Sequence, residues 1–114
     1  MRALILAAAI MLSGTAAYAA EMDVSQCAFP EAPVVPDGAV ATEEQMGEAG
    51  AAVRAYVAGV QESLQCLAEL EKSMGEEITT EQQDELIATY NAGVDGMNAI
   101  AGSYNAAVRV YKER

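Results

Sequence analysis

Residues Tyr90 to Lys112 read YNAGVDGMNAIAGSYNAAVRVYK. Tyr90-Asn91-Ala92 returns as Met97-Asn98-Ala99 and again as Tyr104-Asn105-Ala106, so a large apolar residue, an asparagine and an alanine recur every two helical turns. Between Leu86 and Val108 the only charged residue is Asp95. The heptad predicts a long helix with Tyr90, Met97, Tyr104 and Tyr111 at position a and Ile87, Val94, Ala101 and Val108 at position e. It speaks to architecture and names no biochemical activity.

The same period runs through the preceding segment as Met46, Val53, Val60, Leu67 and Met74, with Val57 and Leu64 widening the stripe. Thr42-Glu43-Glu44-Gln45 fits a capping box at its start, and Gly75 suits a left-handed cap at its end. Thr80-Glu81-Gln82-Gln83 fits a second capping box. These signals set helices over 42–74 and 80–112, each about 50 Å long at about 1.5 Å per residue. The short link over 75–79 forces an antiparallel hairpin. A turn centred near Glu77 then sets Met46 opposite Val108, Val53 opposite Ala101, Val60 opposite Val94, Leu67 opposite Ile87 and Gly50 opposite Tyr104. Two independent stripes meeting in one register argue for the hairpin.

Ahead of the hairpin, residues 20–41 form a separate arm. Pro30, Pro33 and Pro36 fall every third residue, which suits polyproline II geometry. Cys27 and Cys66 are the only cysteines, and one intramolecular bridge is the economical pairing; two intermolecular bridges are the alternative. Cys66 lies about 36 Å along the first helix at about 1.5 Å per residue. The chain from Cys27 to Thr42 reaches about 46 Å at about 3.1 Å per residue. A bridge would therefore lay the arm back along the helix, with slack for a turn at Asp37-Gly38. The d and g positions on that side are mostly small or apolar: Ala52, Gly59 and Cys66, then Leu86, Gly93, Gly96, Ile100, Ser103 and Ala107. Phe29, Val34 and Val35 are the side chains expected to fill this groove. The fold class is thus all-α, a coiled-coil-like antiparallel two-helix hairpin with an N-terminal polyproline II arm stapled by a disulfide.

The chain opens with a basic Met1-Arg2, an apolar run from Ala3 to Leu12, and Ala17-Tyr18-Ala19 at a signal-peptidase site. Residues 1–19 are read as a signal peptide cleaved after Ala19, with Ala20 the second choice and an uncleaved anchor the alternative. Cleavage leaves no stable membrane anchor. Val24-Ser25-Gln26 ahead of Cys27 lacks the pattern of a lipoprotein site. Export delivers the chain to an oxidising compartment, periplasmic or secreted.

Seventeen acids against six bases give a formal charge of −11. Phosphate binding needs a basic face, so nucleic acid is excluded as a partner class. Histidine and tryptophan are absent. That removes the usual general base, the Ser–His and Cys–His nucleophile pairs and imidazole metal ligands. No enzyme, cofactor or metal site is read. Glu76, Glu77, Glu81, Asp84 and Glu85 crowd the hinge, where they read as solvated acids near a helix start, with weak cation binding the minority reading. Glu43, Glu44 and Glu48 are expected to face Arg109, Lys112 and Arg114 as exposed pairs of small energetic value.

Two surface patterns remain. Asn91, Asn98 and Asn105 share position b with Arg54 and Gln61 of the first helix. Asparagine is a poor residue for mid-helix, so three in register need a reason. The favoured reason is a polar seam that pairs Asn98 with Arg54 and Asn91 with Gln61 and sets register. The other is a ligand-binding amide ladder. Ala51, Ala55 and Ala58, with Ala92, Ala99 and Ala106, lie outward on the two helices, either for helix propensity or as a surface that docks another helix or a second copy.

The run Cys27-Ala28-Phe29-Pro30-Glu31-Ala32-Pro33-Val34-Val35-Pro36-Asp37-Gly38-Ala39, with Ala41-Thr42-Glu43-Glu44-Gln45-Met46, Tyr56, Cys66-Leu67 and Tyr90-Asn91-Ala92…Met97-Asn98, resembles a group of small exported proteins of Gram-negative bacteria. The resemblance covers nearly all of the mature chain. It implies a periplasmic location and brings no activity and no site residues with it. The expected function is a non-enzymatic periplasmic binding or assembly module that associates with a protein partner or with itself. A small helical chaperone-like protein and an acidic inhibitor of a basic secreted enzyme are the alternatives.

Overall fold

The computed structural model describes residues 22–114. The signal peptide read over residues 1–19 and its cleavage point lie outside the described residues. Helix α1 spans Glu43–Met74 and helix α2 spans Thr80–Glu113, with short 3₁₀ turns at Val24–Cys27 and Gly75–Glu77. The Thr42 hydroxyl accepts from the Gln45 amide at 3.1 Å, and the Gln45 side chain accepts from the Thr42 amide at 2.9 Å. Two otherwise unpaired N–H groups of the first turn are satisfied this way.

Both helix ends at the hinge differ in detail from the sequence reading. Gly75 has φ +58°, which glycine adopts without a Cβ penalty. Its ψ of −138° is not that of a left-handed helical cap, and the chain enters the 3₁₀ turn Gly75–Glu77 instead. The cap of α2 is Thr79, one residue earlier than expected. Thr79-Thr80 and Gln82-Gln83 offer two overlapping boxes, and the pair used is Thr79 with Gln82, at 3.1 and 3.0 Å. That choice puts Ile78 immediately before the cap, half-buried against the core. A cap at Thr80 would give this place to the more polar Thr79.

The helices run antiparallel, and rings set against glycines hold their register. A Cβ built on Gly50 would lie 2.5 Å from the Tyr104 hydroxyl, which donates to the Met46 carbonyl at 3.4 Å. A Cβ on Gly96 would lie 2.7 Å from the Tyr56 hydroxyl. From Tyr56 toward the hinge the core gathers Val60, Leu64, Leu67 and Leu86, with Val60 wholly enclosed. A second cluster near the chain end joins Ala41, Met46 and Ala107 to Tyr104, Val108 and Tyr111.

The buried line of α2 is not the expected a-plus-e stripe. Its buried residues are Leu86, Gly93 and Ala107, all at d, while Ile87 is 52% exposed and Tyr90 44% exposed. The arm is the reason, because it adds a third layer on the d side, while at e Val94 and Val108 are half-buried and Ile87 lies open.

Cys27 and Cys66 are bridged, with Cα atoms 5.5 Å apart. Asp23 caps the 3₁₀ turn before the bridge by accepting from the Ser25 amide at 3.0 Å and from the Ser25 hydroxyl. The hydroxyl and then the amide hold its carboxyl below the usual value. Phe29 lies against Gly93 and Leu64, and Pro30 lies against Gly59. Ser63 Oγ is 2.9 Å from the Ala28 carbonyl and 3.1 Å from the Gly59 carbonyl, so its single proton ties the arm to α1. Val35 joins the second cluster, but Val34 is 91% exposed. Neighbouring residues of an extended segment point to different sides, so only one of the two valines enters the groove.

The arm ends in a turn at Asp37. Its side chain accepts from the Ala39 amide and its carbonyl from the Ala41 amide, both at 2.9 Å. Gly38 is buried directly on the backbone of α2, where a Cβ would collide with the Ala107 carbonyl. Arg114 donates to the Gly38 carbonyl at 3.4 Å and stacks 4.4 Å over the Tyr111 ring. The pairs expected of Glu43, Glu44 and Glu48 with Arg109, Lys112 and Arg114 are absent; among the described residues no ion pair forms. In water such pairs gain too little to hold two long side chains in place.

Two outcomes follow. Reducing the bridge removes about 4 kcal/mol on the chain-entropy account, so reductant lowers the melting temperature and opens residues 28–37 to protease. Helical circular dichroism should largely survive, and free thiols in the purified oxidised protein would contradict the bridge. Gly38→Ala, forced against backbone rather than a flexible side chain, should destabilise by about 1–3 kcal/mol in thermal melts.

Candidate functional site

The hairpin seam has two sides, and they are used differently. One holds the arm. On the other lies an open hollow of about 440 Å³, lined by Gln61, Leu64, Gln65, Ala68, Tyr90, Val94 and Met97. A smaller hollow of about 100 Å³ adjoins it at the hinge end, sharing Ala68 and Tyr90 and adding Leu67, Leu86, Ile87 and Glu71. The two hollows form one cleft with an apolar floor and an amide-rich rim. It exists because α2 turns its d positions toward the arm and leaves Ile87 and Tyr90 half in solvent.

Asn91, Asn98 and Asn105 share position b of α2, as Arg54 and Gln61 share position b of α1; of the five, Gln61 alone lines the hollow, and all five are exposed. No hydrogen bond joins any of them among the described residues. The pairs Asn98–Arg54 and Asn91–Gln61 are therefore not hydrogen-bonded. The Arg54 guanidinium turns back along its own helix instead, where a Cβ on Gly50 would lie 3.6 Å from it. The seam thus carries three carboxamides, each with donors and an acceptor free for another molecule.

Charges of both signs stand on the side of the open cleft: Arg54 and Lys112 occupy b with Asp84, and Lys72 and Arg109 occupy f with Glu44, Glu81 and Asp95. Glu48, Glu62 and Glu69 share position c of α1, on the side of the arm. The residues lining the larger hollow carry no charge. The hinge acids Glu76, Glu77, Glu81, Asp84 and Glu85 are all exposed, and no group of three metal-ligating side chains is gathered among the described residues.

Ala51, Ala55, Ala58, Ala92, Ala99 and Ala106 are exposed, on the outward faces. Gly102 shares the outward face of α2, and Gly47, at position b of α1, lies one turn before Ala51. Gly47 and Gly102 are exposed, and a Cβ on either would meet nothing within 4 Å. Unlike Gly50, Gly59, Gly93 and Gly96, they accommodate no neighbour within the chain. The sequence reading passed over both, although a glycine inside a helical repeat was the available signal.

Searched against protein-family models, curated proteins and solved structures, the chain matches none. Among the described residues no helix is long and apolar enough to cross a membrane. The disulfide is the mark of an oxidising, extracytoplasmic compartment.

If the three asparagines hold nothing within the chain, replacing them removes only their poor helix propensity. Asn91→Ala, Asn98→Ala and Asn105→Ala should each raise stability by about 0.5 kcal/mol in thermal melts. A polar seam that sets register would give the opposite sign.

Proposed function

We propose that this chain is a non-enzymatic periplasmic binding or assembly module that meets its protein partner, or a second copy, through the outward small-residue faces of its helices. The observation that carries this reading is the pair Gly47 and Gly102. Helix propensity accounts for exposed alanines, since alanine is the best helix former. It does not account for glycine, which costs about 1 kcal/mol relative to alanine in a helix interior. Gly102 sits between the outward Ala99 and Ala106, Gly47 lies one turn before Ala51, and both have open space above them. A close approach by another backbone is the use such a position has.

The rest of the molecule supports a scaffold of this kind. The polyproline arm lies along a coiled-coil-like hairpin and stiffens it from one side, leaving the outer faces free. On α1 the acids Glu48 and Glu62 flank Ala55 along the c line, so the charge-poor face is that of α2. The outward stretch of α2 from Ala88 to Ala106 holds one carboxylate, Asp95. A contact there buries almost no charge, which removes the largest cost of docking two surfaces. The basic-then-apolar start of the chain and its resemblance to small exported proteins support the periplasm as the compartment.

Two substitutions test the reading by moving folding and association in different directions. Gly102→Ala should stabilise the isolated hairpin by about 1 kcal/mol and weaken association, because the added methyl holds the partner backbone off. Ala99→Glu should cost the fold only a few tenths of a kcal/mol and abolish association, because it buries an unpaired charge. Light scattering across a concentration series and capture of native partners read association; thermal melting reads folding. If both variants associate and capture as the wild type does, the outward faces serve the helices alone.

A further inference from the structure

We infer that a second copy of this chain packs antiparallel along the b line of α2, about a twofold axis at Asn98. This deepens the reading of the chain as an assembly module and uses another surface, which leaves the outward alanines to a different partner.

The b line of α2 reads Asp84, Asn91, Asn98, Asn105 and Lys112. Turned end for end, it is complementary to itself. With the axis at Asn98, Asn98 meets its own copy, Asn91 meets Asn105, and Asp84 meets Lys112. The charged pairs stand about 21 Å to either side of the axis along the helix. In a twofold contact a residue that meets another is met by it in return, so each off-axis pair occurs twice. A carboxamide holds donors and an acceptor together, so asparagine can pair with asparagine. All three asparagines are exposed, and none has a hydrogen bond among the described residues.

The flanking lines obey the same axis. At e, Ile87 comes to the level of Val108 and Val94 to that of Ala101, apolar against apolar. Ile87 is exposed and the other three are half-buried, so each has surface left to cover. At f, Asp95 comes to the level of Gly102, which has open space above it, and not to that of its own copy.

Charge fixes the direction. The charged residues on these three lines of α2 are Glu81, Asp84 and Asp95, then Arg109 and Lys112. The hinge end is acidic and the chain end basic. Antiparallel copies therefore attract at both ends, whereas parallel copies set like against like. A slip of one heptad takes Asp84 off Lys112. The helix dipole accounts for acids early and bases late in a helix. It does not account for three asparagines, poor residues for mid-helix, on the same line between them.

The test uses the intact, oxidised protein at low ionic strength, where exposed charges are least screened. Light scattering across a concentration series should show a monomer–dimer equilibrium that added salt weakens. Asp84→Lys and Lys112→Glu each set like charges against each other at both ends, and each alone should weaken the dimer at least about tenfold. An equimolar mixture of the two variants has an opposite pair at each end, so the dimer should return. Asn98→Asp, which puts two carboxylates on the axis, should weaken the dimer more than Asn91→Asp of the same net charge. Thermal melting checks that each variant folds. A wild type that stays monomeric overturns the inference, as does a mixture that associates no better than its components. Self-association that Ala99→Glu abolishes and both charge swaps leave intact puts the second copy on the outward face; the inference then falls and the outward-face reading stands. If the swaps behave as expected while Ala99→Glu captures partners as the wild type does, the dimer stands and the outward-face reading falls.

Discussion

The covalent tie between Cys27 and Cys66 is the constraint on which the rest of the structure depends. Two helices alone make a narrow seam and bury little, so a staple that adds a third layer enlarges a small core. The bridge adds a third layer by pinning an extended arm along one side of the seam. Cys27, Phe29 and Val24 then pack with Val60, Leu64, Leu67 and Leu86 in one cluster. The loop it closes is long, which is where a cross-link removes most freedom from the unfolded chain. Because the arm lies on one side only, it also decides how α2 turns, with d inward and e half in water. The open cleft is the other face of that decision.

Within this frame glycine does the close work. Tyr104 on Gly50, Tyr56 on Gly96, Phe29 on Gly93 and Pro30 on Gly59 each set a ring against a missing side chain. Such contacts are discrete: a shift of one residue along either helix puts a side chain where the ring must go. Register is therefore held by shape in the packed interior, and amides on the rim are left free. Gly38, pressed on the backbone of α2, closes the far end of the arm in the same manner.

The surfaces that remain are unlike one another. The c line of α1 and the hinge carry acids, the back of α2 carries alanine and the unoccupied Gly102, and the cleft carries an apolar floor with Gln61 and Gln65 at its edge. A protein of formal charge −11 that leaves one carboxylate, Asp95, between Ala88 and Ala106 and one, Glu71, in the cleft is arranged for contact there and for repulsion elsewhere. Charge keeps copies apart in general; the neutral faces define where approach is allowed.

Much of this was legible in the sequence. Helix positions followed from heptads and capping boxes, which are local signals. The antiparallel register followed from a short link and two stripes, and the bridge from there being two cysteines, with two matching lengths in its support. What the sequence did not decide was rotation about the helix axis. A heptad gives the period of an apolar stripe, but which flank of the stripe is buried depends on what packs beside it. Hence Leu86 and Ala107 are core while Ile87 and Tyr90 are not. The same limit covers Val34 against Val35 and Thr79 against Thr80, where adjacent residues offer equal local chemistry and a distant neighbour chooses. It covers the asparagines most of all. Their spacing was plain from the first reading, but whether they face a partner within the chain depends on where Arg54 and Gln61 come to lie, and only the packed helices determine that.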